Sequence, residues 1–174
     1  MKIILLDRDG TVVVDPPDNR VDSLDKAVLF PDVIEALKLL ADHDYGVIFV
    51  TNQAGIAEGR ITEEEAWKIH RKVMRLIKPS GITVLKTYMC PHSPKDRCVC
   101  RKPHPTMLLW AADDFDFQPS DVYMIGDRMT DVKAGKSAGT KTVQVGTGNE
   151  KLVDNTADFF ADSLLEAVNF AITH

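Results

Sequence analysis

The sequence predicts an α/β fold in which a central, mainly parallel sheet lies between two layers of helices. Short apolar runs that end in turn residues alternate with segments of helical periodicity along the chain. The apolar runs are rich in the β-branched residues that favour strands. Acidic and amide side chains directly follow several of these runs, and ligands bind at the carboxyl ends of the strands in an open parallel sheet. A functional site is therefore expected at that edge.

The first half of the chain contains two predicted strands, each followed by a predicted helix. Residues 2–6 form an apolar strand, and residues 33–41 place apolar side chains at helical spacing. Residues 47–50 form the second strand. Thr62, followed three residues later by Glu65, forms a capping box that predicts the start of a second helix. The apolar stripe of this helix consists of Ala66, Ile69, Val73, Leu76 and Ile77.

The second half continues this alternation. Its predicted elements are strands over residues 82–89, 122–125 and 141–145 and helices over residues 107–114 and 131–138. Gly139 ends the second of these helices, because glycine readily adopts the left-handed conformation that follows a helix. Ser163 and Glu166 form another capping box, which predicts a C-terminal helix.

Composition limits the classes of protein that this chain can represent. With 174 residues and 44% hydrophobic content, we expect one core and a single domain over residues 1–174. The net charge of -5 argues against nucleic acid or a membrane surface as a partner and leaves small anionic metabolites. No signal-peptide pattern or bilayer-spanning apolar run is visible, so we expect a cytoplasmic protein without a membrane partner. We also expect a monomer.

Polar clusters stand at four places along the chain. They are Asp7-Arg8-Asp9-Gly10-Thr11, Thr51-Asn52-Gln53, Arg101-Lys102-Pro103, and Gly126-Asp127-Arg128 with Asp131 beyond. Alternate strand residues point to the same face, so Asp7 and Asp9 can address one cleft. Several carboxylates in one cleft repel one another, which requires a cation, and oxygen ligands favour Mg²⁺.

Three cysteines and one histidine are concentrated in the loop over residues 90–100. These residues are Cys90, His92, Cys98 and Cys100. A Cys₃His set binds zinc in tetrahedral geometry and leaves no open coordination position, so we expect a structural Zn²⁺. The alternative is a set of free thiols. Because Cys100 directly precedes Arg101 and Lys102, a fixed loop would also fix these two cations.

The four polar clusters, in this order, resemble the motifs of the haloacid dehalogenase superfamily. The resemblance implies a Rossmann-like three-layer sandwich, and the short connections after the first two motifs imply little or no cap domain. It also implies a phosphomonoester hydrolase that acts through an aspartyl-phosphate, with Asp7 as the nucleophile and Asp9 as the acid and base.

The same resemblance assigns the other site residues. It places Mg²⁺ on the carboxylates of Asp7 and Asp127 and on the main-chain carbonyl of Asp9. Asp131 is expected to support these ligands from outside the coordination sphere. The residues expected to bind the phosphate or the rest of the substrate are Thr51, Asn52, Arg101 and Lys102.

The cysteine loop narrows the resemblance to one zinc-bearing branch. That branch contains D-glycero-D-manno-heptose 1,7-bisphosphate 7-phosphatase and histidinol-phosphatase. Residues 51–59 and 101–109 are more similar to the heptose enzyme, whereas residues 15–26 and Arg128 are more similar to the histidinol enzyme. We expect the heptose bisphosphate as substrate, with histidinol phosphate as the alternative. Two other classes are a DNA 3′-phosphatase, which the acidic composition disfavours, and a non-enzymatic zinc-stabilised binding module.

Overall fold

A six-stranded sheet forms the centre of the protein, whose computed structural model describes residues 1–149 and 153–174. The strands are β1 (Lys2–Leu6), β2 (Tyr45–Asn52), β3 (Thr83–Cys90), β4 (Tyr123–Gly126), β5 (Lys141–Val145) and β6 (Phe159–Ala161). Across the sheet their order is β3-β2-β1-β4-β5-β6, and every neighbouring pair is parallel. The predicted parallel sheet is confirmed.

Helices cover both faces of this sheet. Those in the described part of the chain are α1 (Val33–Asp42), α2 (Glu63–Ile77), α3 (Thr106–Phe115), α4 (Met129–Ala138) and α5 (Leu164–Thr173). α1, α2 and α5 pack on one face, and α3 and α4 pack on the other. Successive strand side chains alternate, so Ile4 and Leu6 of β1 enter the first core and Leu5 enters the second. The predicted three-layer sandwich is confirmed.

The two predicted capping boxes have different outcomes. At α2, Thr62 Oγ1 accepts a hydrogen bond from Glu65 N at 3.1 Å, and the Glu65 carboxylate accepts one from Thr62 N at 2.8 Å. At α5, Ser163 Oγ accepts from Glu166 N at 3.2 Å, but the Glu166 carboxylate accepts from Asp162 N. The first box is complete, whereas the second is half formed.

Several element boundaries differ from the prediction. β2 extends at both ends, because its pairing with β3 continues as far as Asn52 opposite Cys90. The three-residue β6 was not predicted, since so short a segment shows no strand periodicity and depends on its pairing with β5. α4 begins at Met129, two residues before the predicted start. In α2, Leu76 is exposed, and His70 is buried on the core side instead.

The strand order places a crevice beside β1. The chain adds β2 and β3 on one side of β1 and then crosses to β4 on the other side. β1 pairs with β4 from Ile4 opposite Tyr123 to Leu6 opposite Ile125, so the residues that follow these neighbouring strand ends emerge together. Ligands bind at such a reversal of strand order. In the described residues, no helix combines the length and apolar character needed to cross a membrane.

Candidate active site

A cleft of about 200 Å³ opens at the carboxyl ends of the central strands. The predicted site residues that line it are Asp7, Asp9, Thr51, Asn52, Arg101, Lys102 and Asp131. Asp127 is fully buried and joins two of these aspartates in one cluster. The fold therefore brings together residues that are widely separated in the sequence.

Asp7, Asp127 and Asp131 form a compact carboxylate cluster. One oxygen atom from each side chain lies within 4.8 Å of the others, and all three residues are buried. Lys102 Nζ lies 2.6 Å from Asp7 Oδ1 and 2.5 Å from Asp131 Oδ1. It also donates a hydrogen bond to Val50 O at 2.6 Å. The ammonium group is therefore fixed between two carboxylates.

Asp131 has two partners at the start of α4. Its Oδ1 atom pairs with Lys102, and its Oδ2 atom accepts a hydrogen bond from Arg128 N at 3.0 Å. The second contact satisfies a free backbone donor at the helix N-terminus. A Cβ atom at Gly126 would overlap the Asp131 side chain, so glycine is needed for this approach. Asp131 thus caps the helix and positions the lysine at the same time.

Glycines also make room for Asp127. Gly10 has a φ of +84°, in the left-handed region that favours glycine. A Cβ atom at Gly10 or at Gly148 would overlap the Asp127 carboxylate. Thr11 Oγ1 donates to Asp127 Oδ1 at 3.4 Å. Glycine is therefore required at position 10, because the side chain of Asp127, more than a hundred residues later in the chain, occupies the space that a Cβ atom would need.

Burial and mutual repulsion raise the pKa values of the clustered carboxyl groups. The pKa of Asp7 rises to about 7, chiefly through burial, although the charge of Lys102 opposes the shift. The pKa of Asp127 rises to about 9 through burial and the charges of Asp7 and Asp131. Burial alone would lower the pKa of Lys102, but the charges of Asp131 and Asp7 outweigh this effect and raise the pKa. The cluster has more negative charge than Lys102 can neutralise.

Asp127 offers a carboxylate oxygen that a metal ion could use. Its Oδ2 atom is buried without a hydrogen-bond partner among the described residues, although Arg128 Nε lies 3.6 Å away. A buried acceptor that lacks a donor is costly, and a divalent cation beside it would remove that cost. Carboxylate ligands of this kind suit Mg²⁺. The residues of the cluster therefore fit a magnesium ion.

The Asp9 carboxylate does not belong to this cluster. It accepts hydrogen bonds from Arg8 Nε at 2.7 Å, from Arg8 Nη2 at 2.9 Å and from Gln53 Nε2 at 2.8 Å. Burial acts to raise the pKa of Asp9, but the charge and hydrogen bonds of Arg8 and the hydrogen bond of Gln53 outweigh it and lower the pKa. Sequence reasoning did not assign roles to Arg8 and Gln53, although both stand inside the polar clusters.

Thr51 and Asn52 end β2, and their side chains have different partners. Thr51 Oγ1 accepts a hydrogen bond from Gln53 Nε2 at 3.0 Å and faces the cleft. Asn52 Nδ2 donates to Lys102 O at 3.1 Å, and Asn52 Oδ1 accepts from Lys102 N at 3.1 Å. Asn52 therefore fixes the backbone of the lysine, in addition to lining the cleft where a phosphate contact was expected.

Arginines from four segments of the chain line the cleft: Arg20, Arg60, Arg101 and Arg128. Arg101 Nη1 donates to His92 O at 3.1 Å, and Arg128 Nη2 donates to Asp15 Oδ2 at 3.2 Å. Arg60 lies on the connection between β2 and α2. Arg60 was not predicted as a site residue because it lies outside the four polar clusters. Arg128 belongs to the fourth cluster, but no contact in the cleft was predicted for it.

The predicted zinc ligands form a second compact group. Their ligand atoms all lie within 4.8 Å of one another: Cys90, His92, Cys98 and Cys100. The sulfur atoms are 3.2, 3.6 and 3.7 Å apart, and His92 Nδ1 lies 3.3 Å from Cys100 Sγ and 3.6 Å from Cys90 Sγ. Tetrahedral zinc with bonds of about 2.3 Å to sulfur places its ligand atoms roughly 3.5–3.8 Å apart. Three of the five distances fall in this range and two are slightly shorter, so a small adjustment of the loop would give the spacing of a zinc site.

This cysteine and histidine group adjoins the cleft at two points. Cys90 ends β3, and its carbonyl oxygen accepts a hydrogen bond from Gln53 N at 2.7 Å. Cys100 is followed directly by Arg101 and Lys102. A rigid cluster would therefore position both the strand-end turn of β2 and the two cations.

Comparisons with known proteins show which proteins this chain resembles. The HAD-hydrolase-like family model matches residues 99–167. A D-glycero-beta-D-manno-heptose-1,7-bisphosphate 7-phosphatase from Bordetella bronchiseptica is 38% identical over 149 residues, which are 86% of this chain and 83% of that protein. The histidine biosynthesis bifunctional protein HisB from Actinobacillus pleuropneumoniae is 37% identical over 142 residues. That match covers 81% of this chain but 39% of the HisB protein.

Solved structures agree as well. The D,D-heptose 1,7-bisphosphate phosphatase from B. bronchiseptica, complexed with magnesium and phosphate, has a TM-score of 0.90 at 33% identity and covers 99% of both chains. The corresponding protein from Burkholderia thailandensis has a TM-score of 0.72 over the full length of both chains. At 24% identity, the second match shows the fold alone.

The parallel sheet, the strand-end aspartates and the buried lysine define a phosphatase of the haloacid dehalogenase type. The chain belongs to the HAD-like phosphatase family that includes the heptose-1,7-bisphosphate 7-phosphatases. The predicted enzyme class is confirmed. The alternative of a non-enzymatic zinc-stabilised module is therefore excluded.

Proposed function

We propose that this phosphatase hydrolyses a small phosphorylated metabolite through an aspartyl-phosphate formed on Asp7. The observation that carries the proposal is the position of Lys102 Nζ, 2.6 Å from Asp7 Oδ1 and 2.5 Å from Asp131 Oδ1, at the bottom of the cleft. A carboxylate beside fixed positive charge supplies both a nucleophile and stabilisation for a phosphoryl group.

The reaction consists of two displacements. In the first, an Asp7 oxygen forms a bond to phosphorus, the ester P–O bond breaks, and the departing alkoxide takes a proton from Asp9. In the second, water attacks the phosphorus of the aspartyl-phosphate and gives a proton to Asp9. Inorganic phosphate leaves and the Asp7 carboxylate is restored. Lys102 remains protonated throughout.

The contacts of Asp9 suit the second displacement. Three N–H donors from Arg8 and Gln53 point at its carboxylate, which favours the anion that accepts a proton from water. In the first displacement Asp9 carries a proton. Oδ2 already accepts two hydrogen bonds and Oδ1 accepts one, so the proton belongs on Oδ1, which has an acceptor position left.

The other predicted residues hold the phosphate and the lysine. The Thr51 hydroxyl lines the cleft and can donate to a phosphoryl oxygen, while Lys102 neutralises charge on the phosphate and on Asp7. Arg101 can bind a phosphate or another part of the substrate beside its contact with His92. Asn52 acts mainly by fixing the Lys102 backbone.

We assign Mg²⁺ to the carboxylates of Asp7 and Asp127 and to the main-chain carbonyl of Asp9. When bound, magnesium neutralises the clustered carboxylates and polarises a phosphoryl oxygen. Asp131 stays outside the coordination sphere in this assignment, because its two oxygens already contact Lys102 Nζ and Arg128 N. The related structure that holds magnesium and phosphate supports the choice of metal.

We assign a structural Zn²⁺ to the cysteine and histidine group. All four positions are filled by protein ligands, so the ion has no position open for substrate. Its part in the enzyme is to keep the loop over residues 90–100 rigid beside the cleft. The free thiols and the spacing of their sulfur atoms support this assignment.

The substrate that we propose is D-glycero-D-manno-heptose 1,7-bisphosphate, cleaved at the 7-phosphate. Relatives named for this activity match over 83% and 80% of their own length. Histidinol phosphate is the second candidate, since the histidine biosynthesis proteins are nearly as similar to this chain.

The two candidates can be separated by steady-state kinetics with Mg²⁺. We expect kcat/KM for the heptose bisphosphate to exceed that for histidinol phosphate by at least about tenfold. The reverse preference would favour the histidinol enzyme, and turnover of neither ester would reject both substrates. Competition by single-stranded DNA would instead indicate the DNA 3′-phosphatase alternative.

We further propose that residues 1–174 act as a single-domain monomer in the cytoplasm, without a nucleic-acid or membrane partner. Two apolar clusters on opposite faces of one sheet support the single domain. Light scattering of the purified protein in solution would test the monomer.

A further inference from the structure

Arg60 lies at the mouth of the cleft with unused hydrogen-bond donors. Its Nη2 atom pairs with Glu58 Oε2 at 2.8 Å. Its Nε and Nη1 atoms are buried and have no hydrogen-bond partner in the part of the chain that the structure describes. Asp22 Oδ2 is 3.9 Å from Nη1, and the Asp22 carboxylate already binds Lys26 Nζ at 2.8 Å. Buried guanidinium donors without an acceptor are costly, and oxygen atoms of a ligand would satisfy them.

The turn between β2 and α2 holds this arginine in place. Arg60 N donates to Gly55 O at 2.9 Å, and the guanidinium lies over Gly55, where a Cβ atom would come within 3.4 Å of Nη2. The ion pair with Glu58 fixes the far end of the side chain. Because the guanidinium is already ordered, a ligand that binds it loses less conformational entropy.

The charges around the mouth favour an anion. Arg20, Arg60 and Arg101 line the cleft there, and Asp22 is the carboxylate that lines it beside them. The deeper cation Lys102 is already committed to the carboxylate cluster. Three arginines outnumber the two nearby carboxylates, Asp22 and Glu58, so net positive charge remains at the entrance, whereas the base of the cleft is acidic.

We propose that Arg60 binds a second phosphate of the substrate, remote from the phosphate that is cleaved. This inference rests on the proposed function, because the cleaved phosphate must lie at Asp7 for the remote one to reach the mouth. It favours a bisphosphate over an ester whose remote end is cationic. Histidinol phosphate carries an amine and an imidazole at that end, so the positive charge at the mouth of the cleft disfavours its binding.

The test compares a bisphosphate with the matching monophosphate. kcat/KM is measured for heptose 1,7-bisphosphate and heptose 7-phosphate with wild-type protein, Arg60→Ala, Arg60→Lys and the control Arg75→Ala, which removes an exposed arginine of α2. We expect Arg60→Ala to lower kcat/KM for the bisphosphate by at least about tenfold, mainly through KM, with less than about twofold change for the monophosphate. Arg60→Lys should recover part of the loss, and Arg75→Ala should match wild type.

Two results would overturn the proposal. Equal losses on both esters would mean that Arg60 supports the fold alone, and no loss on either would place the second phosphate elsewhere. If neither heptose ester is turned over, the proposed substrate fails, and the role of Arg60 is tested with inhibitors of p-nitrophenyl phosphate hydrolysis. Fructose 1,6-bisphosphate should then inhibit wild type more strongly than fructose 6-phosphate, and Arg60→Ala should remove this difference. Its persistence in Arg60→Ala, or its absence from wild type, would overturn the role of Arg60.

Discussion

Lys102 determines the charge balance of the site. Its ammonium is held by Asp7, Asp131 and the carbonyl of Val50, and it is almost completely buried. One ammonium cannot neutralise three buried carboxylates, as the raised pKa of Asp127 shows. The resemblance predicted that Lys102 would neutralise charge on Asp7, but the contact with Asp131 was not predicted, because it depends on how the strand ends meet.

Replacement of the nucleophile should abolish turnover and leave the fold intact. In Asp7→Asn the amide oxygen can still accept the hydrogen bond from Lys102, but the amide cannot attack phosphorus. We expect kcat to fall by at least about a thousandfold. Turnover of p-nitrophenyl phosphate measures the loss, and circular dichroism checks the fold. A folded variant with nearly normal turnover would show that Asp7 is not the nucleophile.

Replacement of the acid and base should depend on the leaving group. Asp9→Asn should lower kcat by about 10²–10⁴-fold on a sugar phosphate, whose alkoxide needs a proton. The loss should be smaller on p-nitrophenyl phosphate, because nitrophenolate can leave without one. Kinetics on both esters test this expectation. An equal loss on both would contradict the role of Asp9 as a proton donor.

At the scale of elements, the loop over residues 90–100 and the turn after β2 support the cleft from one side. Cys90 connects them, because its thiol belongs to the metal group and its carbonyl oxygen accepts a hydrogen bond from Gln53 N. The close spacing of the three cysteines and His92 in the sequence was enough to predict that their ligand atoms would meet. The contact with Gln53 could not be predicted, since it requires β2 and β3 to pair in register.

Loss of one zinc ligand should destabilise this loop. Cys98→Ser should reduce zinc to well below one equivalent and lower Tm by several degrees, because metal binding contributes to folding free energy. Metal analysis and thermal melts provide the measurement. The control is Val99→Ala, which changes an exposed residue between two ligands. Normal zinc content and Tm in Cys98→Ser would contradict a structural zinc site.

Element prediction succeeded where local chemistry decides the outcome. The capping box of Thr62 and Glu65 is present as predicted, because the two residues are one helical turn apart and no distant residue is involved. β6 was missed because its three residues become a strand through pairing with β5. Leu76 was placed in the core by its apolar character, whereas His70 is the residue that packs there, edge-on to Phe49 and Trp67.

For the whole molecule, the carboxylate cluster links stability to pH and magnesium. The folded pKa values of Asp7 and Asp127 are about 7 and about 9, above the usual value of 3.8. The folded state without metal therefore retains protons that the unfolded state has lost. This contribution to stability is complete below the unfolded pKa and is lost as the pH rises through the folded values.

Magnesium should consequently stabilise the protein more at about pH 8 than at about pH 5, where it must compete with bound protons. Thermal melts with and without Mg²⁺ at both pH values measure the effect. Asp127→Asn serves as the comparison, because it removes the more strongly shifted carboxyl group, and the pH dependence of the magnesium shift should diminish. An identical magnesium shift at both pH values in the wild type would contradict the linkage.

The sequence by itself determined the fold class, the order of the first five strands along the chain, the four polar clusters and the group of three cysteines and one histidine. These features depend on periodicity and spacing within short segments, which the sequence displays directly. The tertiary structure decided which groups meet: Lys102 between Asp7 and Asp131, Arg8 and Gln53 on Asp9, and Arg60 at the mouth. Such contacts arise when parallel strands pair and bring their carboxyl ends to one edge, and no local pattern encodes them.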